Sequence, residues 1–81
     1  MTPKQVESLL NELCVVLGFC LEPAAQARIQ EKPEADIDAF TDVVIRAEGL
    51  DPYSDIPKRL RRQVREIVVK YFKAAEDDSF V

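Results

Sequence analysis

Residues 58–75 read KRLRRQVREIVVKYFKAA, and this stretch decides the fold class. Its apolar side chains recur at spacings of three and four residues, so they fall within one arc of a helical wheel. These side chains are Leu60, Val64, Ile67, Val68, Tyr71, Phe72 and Ala75. No glycine or proline interrupts the stretch. The pattern predicts a long helix over about 58–76 that directs one face to a core.

The N-terminal part of the chain predicts a second amphipathic helix. Thr2 and Gln5 can form a capping box, and Pro3 has the backbone angle of a first helical residue. The apolar stripe that follows is Val6, Leu9, Leu10, Leu13 and Leu17. Gly18 is a natural left-handed end for this helix.

The middle of the chain predicts one short helix and one longer helix. Pro23 opens the short helix, which runs to about Gln30 or Glu31. Its apolar content is weak and includes Ala24, Ala27 and Ile29. Asp36 caps the longer helix, and Gly49 ends it. The inner face of the longer helix is Ile37, Phe40, Val44 and Ala47.

Four amphipathic helices joined by short loops predict an all-α fold, a small single-domain bundle of about four helices. A chain of 81 residues has room for only one core. We expect a helical domain over 1–76. Residues 77–81 carry no apolar pattern, so we expect this C-terminal tail to fray.

The sequence lacks the residues on which common catalytic sites depend. It contains no histidine, which is the most frequent general base and metal ligand. Two cysteines cannot complete a tetrahedral zinc site, and two glycines cannot build a phosphate-binding loop. We therefore expect no enzymatic activity, no cofactor, no metal site and no small-molecule substrate.

Cys14 and Cys20 are the only cysteines. Cys14 lies near the apolar stripe of the first helix and Cys20 just beyond Gly18, so we interpret them as two small buried hydrophobic residues. An enzymatic redox pair is the alternative, although the spacing is not C-x-x-C. So few cysteines favour a reduced, cytoplasmic setting. No apolar run predicts export or membrane insertion.

Charge is distributed unevenly along the chain. The stretch 58–73 contains seven basic residues and one acidic residue, a net charge of +6. The rest of the chain contains four basic and fourteen acidic residues, a net charge of −10. The last helix is therefore a basic rod on an acidic body.

This basic helix suggests a non-enzymatic protein-protein interaction module. In this hypothesis Lys58, Arg61, Arg62 and Arg65 bind the acidic surface of another protein or of a second copy of the chain. The alternative function is a small nucleic-acid-binding regulator that uses the same arginines on phosphates. The acidic body and the lack of stacking aromatic residues among the basic ones disfavour this alternative.

Two further hypotheses concern the surface of the bundle. The protein's own acids, such as Asp51 and Asp55, can lie beside the basic helix and neutralise it. Val15, Ile45 and Val69 fall on the polar sides of their predicted helices. If these three residues converge, they form an apolar patch for self-association or for a partner helix.

Overall fold

Four helices account for most of the part of the chain that the computed structural model describes, which is residues 2–51, 53–54 and 56–78, with side chains to residue 75. They are α1 (Pro3–Leu17), α2 (Pro23–Glu31), α3 (Ile37–Ala47) and α4 (Lys58–Asp78). No strand occurs in these ranges. The predicted fold class, a small all-α bundle of four helices, is confirmed.

The predicted caps of α1 are present. Thr2 Oγ1 accepts a hydrogen bond from the backbone amide of Gln5 at 3.2 Å. The backbone amide of Thr2 donates to Gln5 Oε1 at 2.8 Å. At the other end Gly18 has a φ of 74°, and its amide donates to the Cys14 carbonyl at 3.0 Å. Glycine adopts this left-handed angle without strain, so the helix ends there.

Helix α3 is also delimited by the expected residues. Asp36 Oδ2 accepts a hydrogen bond from the Ala39 amide at 3.0 Å. Beyond the helix Gly49 has a φ of 84°, and the Leu50 amide donates to the Ile45 carbonyl at 3.3 Å. This is the bonding pattern of a Schellman turn, which satisfies the last carbonyls of a helix.

Of the apolar residues that the sequence analysis names for α2, only Ile29 is buried. Helix α2 buries Ala25 and Ile29, whereas Ala24 and Ala27 are exposed. Positions 25 and 29 lie one helical turn apart, so they form the single narrow strip with which this short helix reaches the core.

Helix α4 lies against both α1 and α3, and α2 packs on α1. Arg61 pairs with Asp42 and Arg65 with Asp38, so α4 runs antiparallel to α3. Within this arrangement Phe40 of α3 meets Phe72 of α4 edge to face, with ring centroids 5.8 Å apart. Helix α4 is therefore central to the bundle.

The core draws on every helix and on the α1–α2 and α3–α4 connections. Its buried hydrophobic residues are Val6, Leu9, Leu10, Leu13, Phe19, Leu21, Ala25, Ile29, Phe40, Val44, Ile45, Ile56, Val64 and Val68. Thr41 is also fully buried, and its hydroxyl donates to the Ile37 carbonyl at 2.9 Å. That bond satisfies a polar group that would otherwise destabilise the core.

Val15, Ile45 and Val69 do not form the exposed apolar patch that their convergence would have produced. Ile45 is completely buried, Val69 is half-buried, and Val15 is 76% exposed. The inner face of α3 is wider than the predicted stripe because Thr41 and Ile45 are buried beside Phe40 and Val44.

The interpretation of Cys14 and Cys20 as buried hydrophobic residues is wrong. Cys14 is half-buried, Cys20 is exposed, and the two form a disulfide across a sequence separation of six residues. The turn at Gly18 brings their Cα atoms to 4.3 Å. In a continuous helix the same residues would lie about 9 Å apart along the axis.

Helix α4 ends at Asp78 rather than near residue 76, so Asp77 and Asp78 of the predicted tail are helical. The remainder of that tail, residues 79–81, lies outside the described residues. Among the described helices, none combines the length and the apolar character needed to cross a membrane.

Candidate functional site

The four residues predicted to bind a partner line one cleft of about 480 Å³. Lys58, Arg61, Arg62 and Arg65 lie three and four residues apart, so their side chains share one face of α4. From the described part of the connector between α3 and α4, Tyr53 and Ile56 also line the cleft. The cleft therefore combines a cationic wall with an apolar contribution from the connector.

The connector is held in place by an aspartate turn. Asp51 Oδ1 accepts hydrogen bonds from the amides of Tyr53 at 2.8 Å and Ser54 at 3.1 Å. The bond from the Tyr53 amide is the main reason why the pKa of Asp51 lies below its usual value. Ile56, only 7% exposed, anchors the connector to the core. Asp55, which was expected to neutralise the arginines, lies outside the described residues.

Arg61 is the most tightly held of the four residues. Its Nη2 donates to Asp42 Oδ1 at 2.9 Å, and its guanidinium lies 5.3 Å from the centroid of the Tyr53 ring. Tyr53 Oη donates to the other oxygen of Asp42 at 2.7 Å, and this bond raises the pKa of Tyr53. Asp42 therefore fixes both Arg61 and Tyr53.

Arg65 makes a more open ion pair. Its Nε donates to Asp38 Oδ1 at 2.8 Å, and the two side chains are 45% and 57% exposed. The hydrogen bond from Arg65 lowers the pKa of Asp38. Water screens such a pair, so an incoming carboxylate can replace Asp38 at small cost.

Lys58 and Arg62 are exposed, and neither forms an ion pair within the described residues. The protein's own carboxylates therefore neutralise two of the four basic residues: Asp42 pairs with Arg61, and Asp38 pairs with Arg65. The cleft retains two cations that are open to a ligand.

The sequence contains a signal for the two ion pairs that our sequence reasoning missed. Asp38 and Asp42 are four residues apart, as are Arg61 and Arg65. Two antiparallel helices with such matched spacings can pair both charges at once. The signal can be interpreted only when α3 and α4 are known to be neighbours.

The opposite side of α4 carries a second polar contact, with α1. Lys70 Nζ and Tyr71 Oη both donate to the carboxylate of Glu12, the latter at 2.9 Å. The bond from Lys70 is the main cause of the lowered pKa of Glu12. Burial, followed by the bond to Glu12, raises the pKa of Tyr71. This contact joins two helices and lies outside the cleft.

Within the described part of the chain, no group of three or more cysteine or acidic side chains is arranged to hold a metal ion. The cleft offers guanidinium and ammonium donors, a phenol ring and an aliphatic side chain, which suit the binding of anions. No family model, curated protein or solved structure matches this chain, so the cleft is interpreted from its own residues.

Proposed function

We propose that this protein is a non-enzymatic interaction module that binds an acidic segment of a partner protein in the cleft on α4. The observation that carries the proposal is the convergence of Lys58, Arg61, Arg62 and Arg65 on a single cleft of about 480 Å³. Scattered surface cations are common, whereas four on one concave surface can contact several carboxylates together.

The geometry of Arg61 supports this proposal. Asp42 and Tyr53 hold its guanidinium in place, so it loses little conformational freedom when a ligand arrives. Lys58 and Arg62 supply exposed positive charge, which attracts an acidic segment over a distance. Tyr53, 69% exposed, adds an aromatic surface on which a partner side chain can pack.

A cytoplasmic location was predicted partly from the expectation that both cysteines are reduced. The Cys14–Cys20 disulfide removes that support, because such bonds persist mainly in oxidising compartments. The proposed binding depends only on the cleft and holds in either setting.

The test compares two charge reversals on the same helix. Arg62→Glu changes the cleft, whereas Lys73→Glu makes the same change of charge at an exposed position outside the cleft. Binding of a fluorescein-labelled oligoglutamate peptide is followed by fluorescence anisotropy. We expect Arg62→Glu to weaken binding roughly tenfold or more and Lys73→Glu by less than about twofold.

Equal losses for the two variants would show that the peptide responds only to overall charge, and the cleft would be rejected as a site. Duplex DNA and single-stranded RNA of equal length are measured beside the peptide at two salt concentrations. Tighter binding of either nucleic acid, with a steep salt dependence, would replace the proposal with the nucleic-acid-binding alternative.

A further inference from the structure

A second groove, of about 330 Å³, lies between α2 and α3. It exists because α2 packs on α1 and α3 packs on α4, while no comparable interface joins α2 to α3. Its apolar lining residues are Ala25, Ile29, Phe40, Val43 and Ala47. Val43 and Ala47 are only half-buried, so part of this apolar floor faces solvent.

The rim of this groove is unusually basic for an acidic protein. Arg28, Lys32 and Arg46 line it and are exposed, and among the described residues Glu34 is the one acidic residue that lines it. The whole chain has a net charge of −4. Arg28 and Lys32 form no ion pair within the described ranges. The field of Arg46 contributes to the lowered pKa of Asp51, so this cation is partly balanced.

We infer that the groove between α2 and α3 is a second binding site, for a peptide segment of a partner protein that combines an aliphatic or aromatic side chain with flanking carboxylates. The apolar side chain would cover the floor at Val43 and Ala47. The carboxylates would accept hydrogen bonds from Arg28, Lys32 and Arg46. Charge complementarity argues for an acidic segment over a neutral one.

This site is distinct from the cleft on α4. Among the described residues the two share no lining residue: α4 and the α3–α4 connector line the cleft, whereas α2, α3 and the turn between them line the groove. The cleft holds its cations around Tyr53 and the α3–α4 connector, whereas the groove has a broader floor of apolar residues. The groove therefore requires an apolar anchor that a simple acidic segment lacks.

The test selects peptides from a displayed library of random twelve-residue sequences against the intact protein. The variant Arg28→Glu/Arg46→Glu reverses the charge of the rim. Ala47→Met keeps the charge and covers the floor with a longer side chain. Arg62→Glu, which alters only the cleft on α4, is the matched control. Circular dichroism verifies that each variant remains helical.

We expect selected peptides that contain an apolar residue flanked by Asp or Glu. Their affinity should fall roughly tenfold or more in both groove variants and by less than about twofold in Arg62→Glu. The inference fails if no selected peptide is lost in the groove variants, or if the selected acidic peptides have no apolar anchor and bind Ala47→Met normally.

Sedimentation at several concentrations tests a second copy of the chain as the occupant. Association that disappears in Arg28→Glu/Arg46→Glu would overturn the inference of a foreign partner. Loss of peptide binding in Arg62→Glu alone would locate the interaction in the cleft on α4, which supports the proposed function and rejects the groove.

Discussion

At the scale of single residues, Asp42 connects two residues of the candidate site. Its two oxygens accept one hydrogen bond from Arg61 and one from Tyr53. Sequence reasoning identified Arg61 as a candidate but gave no role to Asp42, because a carboxylate on another helix becomes a partner only through packing. Arg61 Nε is buried without a hydrogen-bond partner, so Asp42 is the contact that compensates this guanidinium.

The role of Asp42 can be measured through the ionisation of tyrosine. The chain has only two tyrosines, so absorbance in the phenolate band follows the titration of these two side chains alone, and the variants assign each step. The hydrogen bond to the Asp42 carboxylate is the main cause that raises the pKa of Tyr53 above its ordinary value of 10.0. We expect Asp42→Asn to lower this pKa towards the ordinary value, because the neighbouring negative charge is removed.

Glu12→Gln is the matched control, since Glu12 contacts Tyr71 and not Tyr53. It should lower only the pKa of Tyr71, and only in part, because burial is the larger cause there. Because the pKa of Tyr53 is higher in the folded protein than in the unfolded chain, its neutral form contributes to the free energy of unfolding. This contribution is complete below the pKa of Tyr53 in the unfolded chain and is lost as pH rises through its pKa in the folded protein. An unchanged Tyr53 titration in Asp42→Asn would show that the hydrogen bond is absent in solution.

At the scale of helices, local signals predicted the ends of α1 and α3 because each end is made by neighbouring residues. Thr2, Gly18, Asp36 and Gly49 act within one turn of the helices that they delimit. The face of α3 was harder to predict. The predicted stripe is narrower than the face that α3 buries, because Ile45 is buried as well. The cleft was equally hard to predict from the sequence, because Tyr53 and Ile56 belong to the connector and lie outside the residue pattern of α4.

The disulfide between Cys14 and Cys20 leads to a testable prediction at the scale of helices. We expect Cys14→Ser/Cys20→Ser to lower the free energy of unfolding by about 2 kcal/mol, because the unfolded chain regains the freedom of a short loop. Helix content should persist, since Thr2, Gln5 and Gly18 still cap α1. Urea denaturation measures the first effect and circular dichroism the second.

The wild-type protein in a reducing agent should match the double serine variant, and the reducing agent should leave that variant unchanged. A wild-type denaturation midpoint that does not respond to reduction would contradict the bond. A thiol assay of the unfolded protein, without reductant, would then show whether both cysteines are free.

At the scale of the whole molecule, the protein separates its charges around α3. One side of this helix meets α4, where Asp38 and Asp42 balance two arginines of the cleft. Its other side borders the groove with α2, where Arg46 joins two further cations. The sequence predicted the basic character of α4, because those residues are contiguous. The groove could not be predicted, since its cations come from separate helices.

Phe40 connects these features, so its removal tests the integrity of the bundle. It is 1% exposed, packs edge to face on Phe72 and contributes to the floor of the groove. We expect Phe40→Ala to cost about 3–5 kcal/mol through the cavity that it leaves. A domain of this length has a total stability of roughly 4–12 kcal/mol. The variant should therefore unfold at a much lower urea concentration than the wild type.

Val15→Ala is the control, because Val15 is apolar but 76% exposed. Its removal leaves no cavity and should change the free energy of unfolding by no more than about 0.5 kcal/mol. If Phe40→Ala costs as little as Val15→Ala, then α3 does not pack on α4 as described. The packing of α3 on α4 is what brings the Asp38 and Asp42 carboxylates to the arginines of the cleft. Without that packing, the cleft would not have the arrangement described.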